Sequence, residues 1–429
     1  MSTVKRNRIL VVLIIFAFSI FGCMNDMEHK GNWTSPKLDE NFIYVPSDEG
    51  VLHKFSKING SKESSWQFPL GDSSLGSFYG EMIIDKGILY GAAYGNGEDK
   101  RCQNRKCISS VFAIDANTGQ SVWMEESIKI DGSIVGGLIL HKDIIYVATS
   151  ENDKSDSAGG YLYAIDAKSD SDRTLNELTQ KILWRIPLPG EIYGTPLLNS
   201  EKEFLIVGGL SGDISIIDLN NTQAYETNPL SRIKLSQITN YPIISSIIKV
   251  SEDSYCFGNI KGQLKCFNLE IQYKNNSSIG SVNFQIWGEL LLDGWIWSDI
   301  REFNNNYYLV TLSGWLYKIQ VDENREEIKI EWEKELKLDG KPVAGLTTYT
   351  YRNQDFIAVP FDKDKIAIID NVSGATLGEY PLKNGVQSLP IVNDNLIFVI
   401  DRDNKFRSFS VADRSQIICF DMKDMKGCD

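Results

Sequence analysis

The side chains that most often perform catalysis are scarce in this sequence. Only three histidines occur, His29, His53 and His141, so a histidine-based catalytic centre or a histidine-rich metal site has little material to work with. The sequence contains no Gly-x-Ser-x-Gly elbow, phosphate-binding loop, His-Glu-x-x-His motif or EF-hand loop. We therefore expect a protein that is not an enzyme and that holds neither a metal ion nor a cofactor.

The seven cysteines are the second group with chemical potential. Six of them fall into three local pairs, which are Cys102 with Cys107, Cys256 with Cys266, and Cys419 with Cys428. In an oxidising compartment such pairs form disulfides, whereas the alternative is six free thiols. Because no Cys-x-x-Cys occurs and histidines are few, zinc binding is not favoured.

The seventh cysteine, Cys23, follows a segment typical of export. Lys5, Arg6 and Arg8 precede an apolar run over residues 9–21, which is too short to span a membrane but suits a signal peptide. The run ends in Gly22-Cys23, which resembles the lipobox of bacterial lipoproteins, where the cysteine is acylated and becomes the mature N-terminus. A conventional signal peptide with a chance cysteine is the alternative. We expect residues 1–22 to be the signal peptide and residues 23–40 to be a lipidated flexible tether.

The composition of the chain limits the classes of protein to which it can belong. The 429 residues are 42% hydrophobic and 24% charged, which is typical of a globular protein and excludes wholesale disorder. The net charge of -13 repels phosphates, so nucleic acid is a poor candidate partner.

One segment of alternating apolar residues, ending in an acidic or polar residue, recurs eight times. The last apolar residues of the copies are Phe55, Ile114, Ile165, Ile217, Phe267, Ile319, Ile369 and Phe409. Each repeat of about 50 residues has room for four short strands with turns. A four-stranded sheet cannot bury both faces alone, so stacking around an axis is favoured. The sequence predicts an all-β, eight-bladed β-propeller of four-stranded antiparallel blades over residues 41–429, with a linear solenoid as the alternative.

The second copy carries Ala113-Ile-Asp115, Gly119 and Trp123. This spacing resembles the tryptophan-docking motif of quinoprotein-like, or PQQ-repeat, propellers. Partial copies of the motif are Asp166 with Trp184, Trp66, Trp287, Trp332, and Asp370 with Gly374, the last followed by Gly378 where tryptophan is expected. We expect aspartate to cap a turn, glycine to adopt a left-handed conformation and tryptophan to pack against the next blade.

A lipobox followed by eight such blades resembles the BamB-like group of outer-membrane assembly lipoproteins. The resemblance implies a non-enzymatic scaffold that binds envelope proteins or peptides, as a monomer within a larger complex. It also implies a lipid anchor in the cell membrane or outer membrane, with the propeller facing the periplasm or the exterior. Two alternatives remain, a surface or periplasmic binder of glycans or small ligands and a PQQ-dependent dehydrogenase-like enzyme, although the adjacent cysteines of those enzymes are missing.

Loops that join the fourth strand of one blade to the first strand of the next meet at one mouth of a propeller. Aromatic residues beside a carboxylate are found in these loops at Tyr193, Tyr241, Asp293, Trp295 and Trp297. We expect them to form a partner-binding mouth for an extended peptide, a basic segment or a glycan. Trp295 and Trp297 alternate as residues on one face of a strand do, and packing between blades is the alternative role.

Overall fold

The computed structural model describes residues 33–70, 75–94, 107–150, 159–172, 181–220, 233–274, 278–332 and 336–428. The predicted signal peptide, the lipid-anchor candidate Cys23 and the disulfide candidate Cys102 lie outside these residues. The described chain forms eight antiparallel sheets, and it contains short 3-10 turns but no α-helix.

Each sheet uses consecutive strands in sequence order, which makes it one blade. Blade 1 contains β1 (Lys37–Leu38), β2 (Phe42–Pro46), β3 (Leu52–Ser56) and β4 (Lys62–Phe68). Blade 2 contains β5 (Ile83–Asp85), β6 (Ile88–Tyr94), β7 (Ile108–Asp115) and β8 (Ile128–Asp131). Blade 3 contains β9 (Ile139–His141), β10 (Ile144–Ser150), β11 (Gly160–Asp166) and β12 (Ile182–Leu188). Blade 4 contains β13 (Leu197–Asn199), β14 (Phe204–Gly208), β15 (Asp213–Asp218) and β16 (Ile233–Gln237).

The second half of the chain repeats this order, and blades 6 and 8 have an additional short strand. Blade 5 contains β17 (Ile248–Lys249), β18 (Ser254–Gly258), β19 (Gln263–Lys274) and β20 (Ser278–Leu291). Blade 6 contains β21 (Arg301–Phe303), β22 (Asn306–Val310), β23 (Trp315–Asp322), β24 (Glu327–Ile330) and β25 (Leu336–Lys337). Blade 7 contains β26 (Thr347–Tyr351), β27 (Gln354–Pro360), β28 (Lys365–Asp370) and β29 (Thr376–Pro381). Blade 8 contains β30 (Ile391–Asn393), β31 (Leu396–Ile400), β32 (Lys405–Ser410), β33 (Gln416–Asp421) and β34 (Lys426–Gly427).

Strand burial explains the sequence pattern. The middle strands are covered by neighbouring blades on both faces, so β14 is buried along its whole length and reads as a continuous apolar run. The outer strand β12 has one solvent-facing side, and its residues alternate between buried and exposed over much of its length.

The hydrophobic core is divided among the contacts between blades. Eight buried clusters occur, and each joins two adjacent blades. The eighth cluster joins blade 8 to blade 1, where the Phe55 ring lies 4.9 Å from that of Phe406 and 5.0 Å from that of Phe420. The blades therefore close into a ring, which confirms the predicted eight-bladed propeller and excludes the linear solenoid. The ring closes without exchange of strands, because blades 1 and 8 are each built from one continuous segment.

The ordered fold starts before the boundary predicted at residue 41. Strand β1 pairs with β2 and lies inside the segment predicted as a flexible tether. Thr34 is 1% exposed and its hydroxyl donates to the carbonyl of Gly80 over 2.9 Å. Residues 33–40 thus belong to the folded ring, because β1 pairs within blade 1 and the Thr34 hydroxyl is bonded to the segment that precedes blade 2.

Blade 5 departs from the pattern of four short strands. Its outer hairpin has strands of 12 and 14 residues, β19 and β20. Ile271, Val282 and Phe284 pack against the cluster shared by blades 4 and 5. The amide of Ile279 also donates to the Asp218 carboxylate of blade 4 over 2.7 Å. The hairpin is long because it covers the neighbouring blade as well as its own.

Two of the predicted cysteine pairs are bonded in the structure. Cys256 and Cys266 lie opposite each other on β18 and β19 with Cα atoms 4.1 Å apart, and both are fully buried. Cys419 and Cys428 are bonded with Cα atoms 5.3 Å apart. Cys107 is also disulfide-bonded, while its predicted partner lies outside the described residues.

Within the described segments, no helix has the length and apolar character needed to cross a membrane.

Candidate functional site

The tryptophan-docking turn joins neighbouring blades. Trp66 on β4 of blade 1 is 3% exposed, and its indole N–H donates to the carbonyl of Ala116 in blade 2 over 3.2 Å. Asp115 shapes this turn by accepting hydrogen bonds from the amides of Asn117 and Thr118, at 2.9 and 2.8 Å. Gly119 ends the turn with a φ of 75°, in the left-handed region that favours glycine.

Other copies of the turn make related contacts. Trp123 of blade 2 donates to the carbonyl of Lys168 in blade 3 over 3.2 Å, just past Asp166. Trp332 of blade 6 donates to the carbonyl of Asn371 in blade 7 over 3.4 Å, between Asp370 and Gly374. Each of these indoles reaches the turn of the following blade, so each is a contact between blades.

The remaining two tryptophans of the motif behave differently. Trp184 is 7% exposed and packs in the cluster that joins blade 3 to blade 4. Trp287 donates to the hydroxyl of Ser254 over 3.0 Å, which lies in its own blade 5.

Blades 4, 7 and 8 lack the tryptophan, and blades 7 and 8 replace it in different ways. In blade 7, Gly378 stands at the tryptophan position, and a Cβ there would lie 2.1 Å from the Arg414 guanidinium of blade 8. Arg414 occupies the turn position that glycine holds elsewhere, with a φ of 62°, and donates to the carbonyl of Leu377 over 3.2 Å. In blade 8, the Ile418 side chain packs against Gly60 of blade 1. A Cβ on Gly60 would lie 2.6 Å from that side chain.

The central mouth is a cavity of about 160 Å³ on the ring axis. All eight blades line it with residues that precede their first strands. One residue per blade recurs at the same point of the repeat, and this first ring consists of Trp33, Tyr79, Val135, Tyr193, Ile244, Trp297, Val343 and Gln387. Trp33, Tyr79, Tyr193 and Trp297 are partly exposed, so the mouth has apolar aromatic walls that solvent can reach.

The residues two positions further along each repeat form a second ring, and hydrogen bonds between some of its members join neighbouring blades. The amide of Gly137 donates to the Thr195 hydroxyl over 2.7 Å, and the amide of Thr195 donates to the Ser246 hydroxyl over 3.0 Å. The amide of Ser246 donates to the Asp299 carboxylate over 2.8 Å. Blades 3 to 6 are therefore linked by a chain of hydrogen bonds that fixes the wall of the mouth.

The second ring also carries the charge of the mouth. Glu81 of blade 2 and Asp299 of blade 6 are its two acidic lining residues, and no basic residue lines the cavity. Arg301 follows Asp299 on blade 6, and its guanidinium lies 3.2 Å from the Glu81 carboxylate. Because blades 2 and 6 stand opposite each other in an eight-membered ring, this ion pair crosses the axis.

The five residues predicted to form the mouth do not all meet. Tyr193 and Trp297 line the central cavity. Tyr241 is 38% exposed and borders a separate polar groove with Gln263 and Lys265. Asp293 and Trp295 line neither cavity, and their backbone carbonyls accept from Thr311 and Leu312 of the same blade.

The prediction that Trp295 and Trp297 share one face of a strand is wrong. Residues 292–300 connect β20 to β21 and form no strand, since the chain turns there from the outer edge of blade 5 to the axis. Trp297 reaches the axis, whereas Trp295 does not line the cavity.

Most lining residues are not among the predicted mouth residues. Trp33 lies in the predicted tether, and Glu81 and Asp299 are not in the predicted set. The signal that identifies them is the register of the repeat, because each stands at a fixed distance before the first strand of its blade. Aligning the short segments before those strands would have found them.

The fold and the docking turns define the chain as an eight-bladed β-propeller with PQQ-type repeats. Residues 321–417 match the family described as outer membrane protein assembly factor BamB. The structure is similar to the crystal structure of BamB from Moraxella catarrhalis, with 16% identity, a TM-score of 0.55, and 86% of this chain and 91% of that chain covered.

A second similar structure is the computationally designed protein Ika8, with 12% identity, a TM-score of 0.57, and 89% of this chain and 97% of that chain covered. No curated protein sequence matches. These findings confirm the predicted resemblance to BamB-like PQQ-repeat propellers. At these identities the structural likeness establishes the fold.

Proposed function

We propose that this chain is a non-enzymatic, membrane-anchored scaffold of the bacterial envelope that binds other proteins, in the manner of an outer-membrane assembly factor. The BamB family match and the BamB-like fold support this class of function. The observation that carries the proposal is the central mouth, where partly exposed aromatic side chains stand on a wall held rigid by hydrogen bonds between blades.

Rigidity favours binding over chemistry at this mouth. Ser246 and Thr195 hydroxyls, which could otherwise serve reaction chemistry, accept backbone amides from neighbouring blades. Aromatic side chains on a fixed wall bury apolar area on contact without losing much conformational freedom. The arrangement suits a recognition surface that does not rearrange when a partner binds.

Cross-linking in cells tests the scaffold role. A photo-activatable residue at Trp297 should yield adducts with envelope proteins, because this position lines the mouth. The control position is Val372, which is 81% exposed and lies in the turn between β28 and β29, away from the cavity. The proposal is contradicted if both positions give the same adducts, or if neither gives any from a folded, exported protein.

Alanine substitution separates binding from folding. Trp295→Ala together with Trp297→Ala should weaken capture of the cross-linked partner while the fold survives. Because only Trp297 lines the cavity, Trp297→Ala alone should account for most of the loss. Unchanged capture by the double variant excludes the mouth as the binding site.

The lipid anchor is tested through Cys23. Acyl chains hold a protein on a membrane through about 0.8 kcal/mol per buried CH₂ group. In the proposal, Cys23→Ala releases the protein into the soluble fraction and abolishes labelling by a palmitate analogue. Retention of the variant on membranes contradicts lipid anchoring while leaving the scaffold role to be judged by cross-linking.

A further inference from the structure

We propose that the central mouth binds one basic side chain, arginine or lysine, presented by an extended segment of a partner protein. The proposal rests on the proposed function and adds the chemistry of the segment that is recognised. It is carried by three features of the mouth, which are its acidic charge, its aromatic walls and a guanidinium already paired with one of its lining carboxylates.

The charged residues that line the mouth are both acidic. Glu81 is paired with Arg301, but Asp299 forms no ion pair within the described part of the chain. Its carboxylate accepts a hydrogen bond from the Ser246 amide and stands partly buried at the cavity wall. A partly desolvated carboxylate attracts a cation more strongly than one in bulk water.

The aromatic walls favour the same kind of ligand. Trp33 and Tyr79 stack with their ring centres 6.3 Å apart, and Tyr193 and Trp297 also line the cavity. The face of an indole or phenol ring attracts ammonium and guanidinium groups, and guanidinium also stacks on it. Aromatic faces beside a carboxylate therefore select a cation attached to an apolar stem.

One lining carboxylate already binds a guanidinium. Arg301 of blade 6, which does not itself line the cavity, reaches the exposed Glu81 carboxylate at 3.2 Å, so an acidic residue of the mouth pairs with a group of this shape. The cavity of about 160 Å³ suits a single side chain and not a folded element. An extended segment presents single side chains in this way.

Fluorescence titration with defined probes tests the proposal. The probes are a pentapeptide with arginine between glycine and serine residues, the same peptide with glutamine, and N-acetyl-arginine amide. Binding should perturb the emission of Trp33 and Trp297. We expect saturable binding of the arginine peptide, binding at least tenfold weaker for the glutamine peptide, and weaker binding of the amide than of the arginine peptide.

A matched pair of variants assigns the effect to the mouth. Asp299→Asn removes the charge but keeps an oxygen for the Ser246 amide, so the wall stays intact. Glu302→Gln removes an equal charge from an exposed position three residues away that does not line the cavity. We expect Asp299→Asn to weaken the arginine peptide about tenfold and Glu302→Gln to leave its affinity unchanged, with equal thermal unfolding of both variants.

Several results would overturn the proposal. One is equal binding of the arginine and glutamine peptides, and another is equal affinity of the Asp299→Asn variant and the parent protein for the arginine peptide. A third is binding of N-acetyl-arginine amide as tight as that of the arginine peptide, which would indicate a small-molecule site. Cross-linking in cells tests the proposed function independently. If the protein captures envelope proteins but does not prefer the arginine peptide, this inference fails while the proposed function stands.

Discussion

Gly378 and Arg414 exchange the two roles that glycine and tryptophan have in the docking turn. Arg414 stands in the left-handed turn position and covers the space above Gly378. Gly378→Trp alone should destabilise the fold by about 2 kcal/mol, since the indole and the guanidinium need the same space. Arg414→Gly alone should cost about 1 kcal/mol in lost packing.

The double variant Gly378→Trp with Arg414→Gly restores the pattern of the other blades. We expect its unfolding free energy to lie near that of the parent protein, which makes the coupling between the two sites at least about 2 kcal/mol. Urea unfolding of the four proteins measures this coupling. Additive losses would show that the two positions do not share one space.

His53 gives the stability of the protein a dependence on pH. It is 5% exposed on β3, and burial, with a smaller contribution from Lys62, lowers its pKa to about 4. The unfolded chain, with a pKa near 6.5, takes up the proton first as the pH falls. The contribution of neutral His53 is therefore complete above pH 6.5 and is lost as the pH falls toward 4, by about 3 kcal/mol at most.

His53→Gln removes this dependence. The gap in unfolding free energy between the parent and the variant should shrink by about 2 kcal/mol from pH 7 to pH 4.5. Urea unfolding at both pH values measures it, and carboxylates common to both proteins cancel in the difference. A gap that is the same at both pH values would show that His53 titrates normally in the folded state.

Residue types predict the chemistry of the turns better than the chemistry of the mouth. Asp115, Gly119 and Trp66 follow from a local motif, because each role is completed within a few residues or by the adjacent blade. Asp299 and Glu81 come from blades on opposite sides of the ring, so their presence at one cavity depends on closure of the whole ring. The spacing within a single blade carries no signal for it, and only the register shared by all the repeats does.

At the scale of the element, the docking turn is a rigid joint between blades. A Cβ on Gly119 would lie 3.1 Å from the Trp66 indole, which is held between blades and next to the Tyr44 ring. Gly87 of the same blade has a similar φ of 78° but nothing within 4 Å of its Cβ position. The two glycines differ mainly in the presence of the tryptophan.

Alanine at these two positions separates backbone strain from docking. Both substitutions should cost about 1 kcal/mol for the left-handed conformation. Gly119→Ala should cost about 1 kcal/mol more, because Trp66 must shift. Thermal unfolding measures the difference, and equal losses would show that the indole adjusts freely.

The strand pattern was predictable from the repeat, but element lengths were not. The periodic apolar runs give the third strand of every blade. The hairpin of β19 and β20 extends beyond the pattern because Ile279 and Phe284 bury against blade 4, a contact outside its own blade. Strand β1 was missed because two residues carry too little periodicity to be recognised.

At the scale of the whole molecule, the contact between blades 8 and 1 is the only one of the eight within the described chain that has no covalent connection. Phe55 is fully buried there against Phe406 and Phe420. Phe55→Ala should destabilise the protein by about 3 to 4 kcal/mol. The effect should be local, with faster hydrogen exchange in blades 1 and 8 than elsewhere.

Phe204→Ala is the matched control for this prediction. Phe204 is equally buried between blades 4 and 5, which the chain connects directly. We expect a similar loss of stability but no faster exchange in blades 1 and 8. If both variants exchange with the same profile, the contact that closes the ring is no weaker than the others.

The ion pair between Arg301 and Glu81 gives the axis a further property. Since its two residues come from opposite sides of the ring, the pair lies across the axis between the two broad surfaces of the disc. A segment that enters the axis from one surface therefore meets this pair before it can reach the other surface.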